Sequence, residues 1–156
     1  MGRRDDSRMS SAQSPAQDAL RRARARIGRT TPPVRFAIDR SDLRRYARAC
    51  GETWPPYVAG DEAAPTFISA LQSEGMDGSA LFERDLPFTT MLHSDDTVVL
   101  HRTICPGDVL FATAQYCDAT LKDGRQGPML FQTAEMALHN AAGELVGRAA
   151  SSLVSF

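Results

Sequence analysis

The side chains able to move a proton near neutral pH are few and scattered. There are three histidines, His93, His101 and His139, and one carboxylate, Glu52, at the start of the proline-fixed loop GETWPPYVAGDEAA that leads into an apolar helix. A glutamate so placed can serve as a general base, or it can be a solvated loop residue. Tyr57 offers a hydroxyl whose ordinary pKa near 10 makes it a poor neutral-pH proton shuttle; beside Pro55-Pro56 it also suits plain packing. His93 precedes Ser94-Asp95, so an aspartate can orient its ring, and it ranks after Glu52 as an acid–base group. His101 reads as a strand-face residue satisfied by a neighbour, and His139 as a solvent-facing residue before a turn. Trp54 can lid an apolar pocket or pack at a surface. Cys50, Cys105 and Cys117 are odd in number and lack any CxxC spacing, so they read as reduced thiols, with Cys50 a small core residue. No GxGxxG, P-loop or HExxH motif occurs, and no metal site is expected.

The element that must position these groups is Pro65–Gly75 (PTFISALQSEG). Proline is tolerated in a first helical turn, and Gly75 is expected to end the helix in the left-handed conformation. Phe67, Ile68, Ala70 and Leu71 cover most of the circumference, which predicts a buried helix. Before it, Val34–Ile38 reads as a short strand. Leu43, Tyr46, Ala47 and Cys50 then form an apolar helical stripe, capped by Asp39 or Ser41 and ended at Gly51. After an irregular stretch from Met76 to Asp96 the period becomes two. Strands are expected over 97–104, 108–119, 128–139 and 145–155, with turns at Pro106-Gly107-Asp108, Lys122-Asp123-Gly124 and 140–143. Pattern alone thus predicts α+β, with an antiparallel meander following the helix. On the second long strand, Val109, Phe111 and Thr113 compete with Leu110, Ala112, Ala114 and Tyr116 for the core.

The 156 residues suit one domain. Residues 1–29 carry eight Arg and three Asp, whereas the remainder carries ten basic and sixteen acidic residues. The division expected is a basic tail over 1–26, disordered or partly helical, and a single domain over 27–156. The acidic body, without a basic face or interleaved aromatics, argues against nucleic-acid binding. No apolar run approaches the ~20 residues of a membrane span, and no apolar leader segment is visible. A cytoplasmic protein is expected.

Several segments together resemble the MaoC-like dehydratase family, in particular its N-terminal, FAS1-like dehydratase branch. They are Ile27-Gly28-Arg29, Leu43 through Ala49 with Gly51, Ala64-Pro65-Thr66-Phe67, Leu92-His93, and His101-Arg102 followed by Pro106-Gly107-Asp108 and Leu110. The resemblance implies a hot-dog fold, a curved antiparallel sheet wrapped around a central helix. It further implies (R)-specific hydration of an enoyl thioester, or dehydration of the 3-hydroxyacyl thioester. The substrate would be carried on CoA or acyl carrier protein, in fatty acid or polyketide metabolism, with no cofactor. In the family an Asp and a His on the loop before the helix supply acid–base chemistry. A backbone N–H at the helix N-terminus holds the thioester oxygen, which places Pro65, Thr66 and Phe67, with Trp54, at the substrate. Here Glu52 stands at the Asp position, Tyr57 at the His position, and Trp54 where Asn is usual.

These departures make the chain similar to the dyad-less subunit of two-subunit dehydratases. Such a subunit shapes the acyl channel beside a homologous hot-dog partner, in a heterodimer or homodimer paired edge to edge. Two alternatives stand beside this reading: a self-sufficient hydratase or acyl thioesterase using Glu52, and a non-enzymatic acyl-binding or assembly module.

Overall fold

The computed structural model describes residues 14–156; residues 1–13 of the tail expected over 1–26 lie outside them. The strongest local signal is the period-two burial of the long strands. In β3 (Val109–Gly124) Leu110, Ala112, Ala114 and Tyr116 are fully buried, while Val109, Phe111 and Thr113 are half-buried, so the even-numbered set faces the core. β4 (Gly127–Asn140) alternates likewise, with Leu130, Gln132, Ala134, Met136 and Leu138 inside. The hairpin between them closes at Gly124–Gly127 around Arg125-Gln126, two residues later than expected. β5 (Leu145–Ser155) keeps its expected bounds.

β1 (Val34–Ala37) and β2 (Met91–Leu100) complete one antiparallel sheet in the order β1-β3-β4-β5-β2. The expected four-strand meander is therefore corrected. Only β3, β4 and β5 follow one another, while β2 pairs with β5, and residues 101–108 carry the chain past the end of the sheet to β3. The expected strand over 97–104 is also displaced toward the N-terminus. As an edge strand exposed along most of its length, β2 has no burial period to betray its start.

Three helices precede the central one: α1 (Pro15–Arg24), α2 (Arg40–Ala49) and α3 (Pro55–Ala59). Asp39 caps α2 by accepting the Ser41 N–H at 2.8 Å, and Leu43 and Ala47 bury its inner face. Cys50 is exposed beyond the last turn, so it is not a core residue. α1 docks through Ala16, Ala19, Leu20 and Ala23, small side chains that let the helix approach closely. This was a choice that its sparse apolar content left open.

The central helix α4 (Phe67–Gly75) begins two residues after Pro65, which sits in the preceding turn. It buries Phe67, Ile68, Leu71 and Gly75 against the sheet and leaves Ala70, Ser73 and Glu74 exposed, so it is buried on one face and not all round. Gly75 is not a left-handed cap; the helix runs through it to Met76. A Cβ on Gly75 would lie 2.7 Å from Met136 Sδ and 2.9 Å from Ala112 Cβ, so glycine is needed there for close approach. A Cβ on Gly147 of β5 would lie 2.8 Å from Leu100 Cδ2 and 2.9 Å from the Val99 carbonyl of β2, and 3.3 Å from Ile68 Cδ1 of the helix.

α5 (Gly78–Leu81) and the loop after it are pinned to the sheet by Gln132. Its amide accepts from the Tyr116 hydroxyl and the Glu83 N–H, both at 2.8 Å, and donates to the Glu83 carbonyl at 3.1 Å. Among the described residues no helix is long and apolar enough to cross a membrane.

Gly75→Ala tests the close approach. Helix propensity alone would gain about 1 kcal/mol. Overpacking against β3 and β4 should instead give a net loss of about 1–3 kcal/mol, read as a lower urea midpoint.

Candidate functional site

The N-terminus of α4 is held from two sides. The Tyr46 hydroxyl of α2 donates to the Thr66 carbonyl at 2.9 Å, and its ring packs edge-on against Phe67 with centroids 5.3 Å apart. Burial pushes the Tyr46 phenol above its ordinary value, so it stays a neutral donor. On the other side the Ala63 N–H donates to the Ile104 carbonyl at 2.8 Å, tying the approach to α4 to the loop after β2. The first helical turn leaves backbone N–H groups without helical acceptors, and the helix dipole adds partial positive charge there.

The loop after β2 is itself clamped. Arg102 makes a two-pronged ion pair with Asp108, at 2.8 and 3.0 Å, and Asp108 also accepts the Cys105 N–H at 2.9 Å. Burial pushes the Asp108 carboxyl up, but Arg102 and the Cys105 N–H outweigh it and hold the carboxyl below its usual range. The far end of the loop is fixed to the β1 end, where Gly107 N–H donates to Ile38 O at 2.8 Å and Ile38 N–H to Asp108 O at 2.9 Å.

Between these supports lies an open cleft of about 260 Å³. It is lined by Tyr57 of α3, Ala63 and Pro65 ahead of α4, Leu100 at the end of β2, and His101 to Thr103 after it. Tyr57 and Pro65 are thus brought together at the helix end, and His101 joins them. The strand-face expectation for His101 is corrected: β2 ends at Leu100, and the exposed imidazole lines the cleft. None of the lining residues is a carboxylate.

The other candidates lie apart from this cleft or only beside it. Glu52 is half-exposed and is not in the lining; its charge adds to the upward push on Tyr46, which places it toward α2. Trp54 is 57% exposed at the start of α3. Thr66 is exposed and Phe67 buried, its ring part of the groove between α2 and α4. His93 is paired with an aspartate as expected, though through Asp96, at 2.9 Å, because Ser94 forms a bulge in the strand. At about 3.3 Å per strand residue, His93 stands roughly 20 Å from the cleft. The Arg102–Asp108 clamp went unread. Its signal was an aspartate closing a Pro-Gly turn with an arginine six residues earlier.

A five-stranded antiparallel sheet in this order, with one helix laid across it, is the architecture of hot-dog proteins. The chain superposes on the truncated HadBC (3R-hydroxyacyl-ACP dehydratase) complex of Mycobacterium tuberculosis with a TM-score of 0.67 at 22% identity, covering 83% of this chain and 96% of that one. The ChsH1-ChsH2 complex of the same organism gives 0.67 at 17% identity, with 90% of each chain covered. A MaoC-like dehydratase gives 0.70 at 21% identity over 86% of this chain, which spans only 43% of that protein. At these identities the likeness establishes the fold. The family profile for the FAS1-like dehydratase domain region matches residues 25–149, and the chain belongs to that family of MaoC-like hot-dog dehydratases. No curated protein sequence matches it.

The clamp makes a pH-dependent contribution. Because the folded Asp108 carboxyl titrates below its unfolded value, its contribution is complete above about pH 4 and is lost as pH falls through the folded pKa. Asp108→Asn should cost about 1–2 kcal/mol at pH 7 and flatten the acid limb of the stability profile, measured by denaturant melts between about pH 3 and 7.

Proposed function

We propose that the chain is one subunit of an (R)-specific enoyl-thioester hydratase or 3-hydroxyacyl-thioester dehydratase, contributing a helix-end thioester site and part of an acyl pocket to a catalytic partner. The observation that carries this reading is the cleft at the start of α4, which holds Tyr57 and His101 but no carboxylate. Hydration of the enoyl thioester requires a base to take a proton from water as its oxygen adds to C3. An acid must then deliver a proton to C2. The thioester oxygen, enolate-like between these events, needs a donor. The Phe67 N–H already donates to the Ala64 carbonyl at 2.8 Å, so of the groups at the helix start the Thr66 N–H is the one suited to that last task. Tyr57 is suited to hold a hydrogen bond but not to shuttle the proton.

The substrate on this reading is a CoA or acyl-carrier-protein thioester, with no further cofactor. The cleft is also slightly smaller than the 300–1,000 Å³ typical of a ligand site. A second subunit seated on the open β2 edge would enlarge it, with Trp54 covering the acyl chain from α3. HadBC and ChsH1-ChsH2 are named as two-component complexes, and the MaoC-like relative is more than twice the length matched, which supports a paired arrangement.

A second reading has one observation in its favour: His101 beside Tyr57 supplies an imidazole in the cleft itself. On that reading the chain is a self-sufficient hydratase or thioesterase, with His101 or Glu52 as the base.

The two separate in one assay, loss of the conjugated-thioester absorbance of crotonyl-CoA with the purified chain. The subunit reading expects no turnover above background from the folded chain alone. Turnover that falls at least a hundredfold in Glu52→Gln or His101→Gln would defeat it and assign the base.

A further inference from the structure

Among the described residues that line the cleft, Leu100 is the one large aliphatic side chain, and it also packs against the core. Its backbone is fixed on both sides. Leu100 is the last residue of β2 and pairs across β5 with Gly147, and the next N–H, that of His101, donates to the Val146 carbonyl at 2.9 Å. Gly147 in turn pairs with the fully buried Leu138 of β4. Directly paired residues share a face of the sheet, so Leu100 lies on the inner face, under α4.

Gly147 leaves a notch in that row. A Cβ there would fall 2.8 Å from Leu100 Cδ2 and 3.3 Å from Ile68 Cδ1. Two methyl groups thus converge over bare backbone, one from the cleft wall and one from a fully buried residue of the central helix. Leu100 itself is half-buried, lining the cleft on one side and meeting this contact on the other. Ala63 and Pro65, the other apolar residues of the lining, carry too little side chain to fill such a space. Leu100 is therefore the side chain that separates the cleft from the space between α4 and the sheet.

An acyl chain whose thioester oxygen sits at the start of α4 gains by leaving Tyr57 and His101 for apolar surroundings, since each methylene removed from water is favourable. On the inward path it meets Leu100 at once. A short chain fits in front of that side chain. A longer one must displace Leu100 from packed surroundings or turn back into water.

We propose that Leu100 is the acyl-length stop of this cleft, admitting short acyl thioesters and excluding longer ones because its side chain fills the notch over Gly147 against Ile68. This rests on the reading of the cleft as a thioester site, and it names the substrates that the site selects. Truncating Leu100 opens the notch, with Ile68 and the Gly147 backbone as its walls.

The test is binding of saturated butyryl-CoA and octanoyl-CoA to the purified chain, by titration calorimetry, for wild type, Leu100→Ala and Leu121→Ala. Leu121 is likewise half-buried against the core but lies outside the cleft lining, so its truncation controls for general loosening. Wild type should bind butyryl-CoA at least about tenfold more tightly than octanoyl-CoA. Leu100→Ala should gain about tenfold for octanoyl-CoA, as burial of a few further methylenes predicts, while butyryl-CoA changes less than about threefold. Leu121→Ala should keep the wild-type preference. A preference unchanged in Leu100→Ala, or lost equally in Leu121→Ala, would overturn the proposal. If circular dichroism shows that Leu100→Ala does not fold, Leu100→Val serves: octanoyl-CoA should gain about threefold, and no gain would count against the proposal. Failure of wild type to bind butyryl-CoA would defeat the thioester-site reading and this inference with it, whereas butyryl-CoA and octanoyl-CoA bound alike would defeat this inference alone.

Discussion

The close seating of α4 on the sheet is the constraint on which the rest depends. At its C-terminal end Gly75 brings the helix backbone against Ala112 and Met136, and nearer its N-terminal end Ile68 meets the bare backbone of Gly147. Gly75 sets the helix height over the sheet, while the bare backbone of Gly147 leaves room first for Leu100 of β2 and then for Ile68. A protein interior packs as densely as an organic crystal, so that height also fixes where the first turn of α4 emerges. The cleft of this dehydratase-family chain is a consequence of that placement.

Around the emerging helix end, the chain uses polar contacts where apolar packing would give no direction. Tyr46 fixes Thr66 from α2, Ile104 fixes Ala63, and the Arg102–Asp108 pair holds the loop that carries Ile104, His101 and Thr103. Charge-assisted, two-pronged pairs impose geometry as well as energy. The same logic holds the opposite side of the molecule, where Glu83 meets Arg26 at 3.0 Å and Gln132 bridges Tyr116 to the Glu83 backbone. Burial pushes the Glu83 carboxyl up, but Arg26 and the Asp85 N–H outweigh it and keep the group ionised.

The resulting domain is closely packed in its core and, among the described residues, leaves one long edge strand unpaired. Its cleft is small, open, and furnished with a phenol and an imidazole, while β2 offers an unpaired strand beside it. An edge strand left so exposed is a liability unless something covers it. The unpaired edge and the cleft without a carboxylate in its lining lie at the same end of the molecule, since Leu100 belongs to both.

The sequence by itself determined the elements whose signals are local. Period two marked β3, β4 and β5, and Asp39 and Gly51 bounded α2. The residues from Ile27 onward carried the resemblance that the family match upholds. Of the residues the sequence singled out for the site, Tyr57 and Pro65 line the cleft, whereas Glu52, Trp54 and His93 do not. What it could not determine was set by partners distant in the chain. β2 was misplaced because an exposed edge strand needs no hydrophobic period and is defined by hydrogen bonds to β5, some fifty residues later. Gly75 was read as a conformational glycine, whereas its role is to admit side chains from β3 and β4. His101 entered the cleft only because β2 ends one residue before it. Propensity, capping and period act over a few residues, whereas strand order, helix height and the walls of a cleft arise from long-range packing that no local pattern encodes.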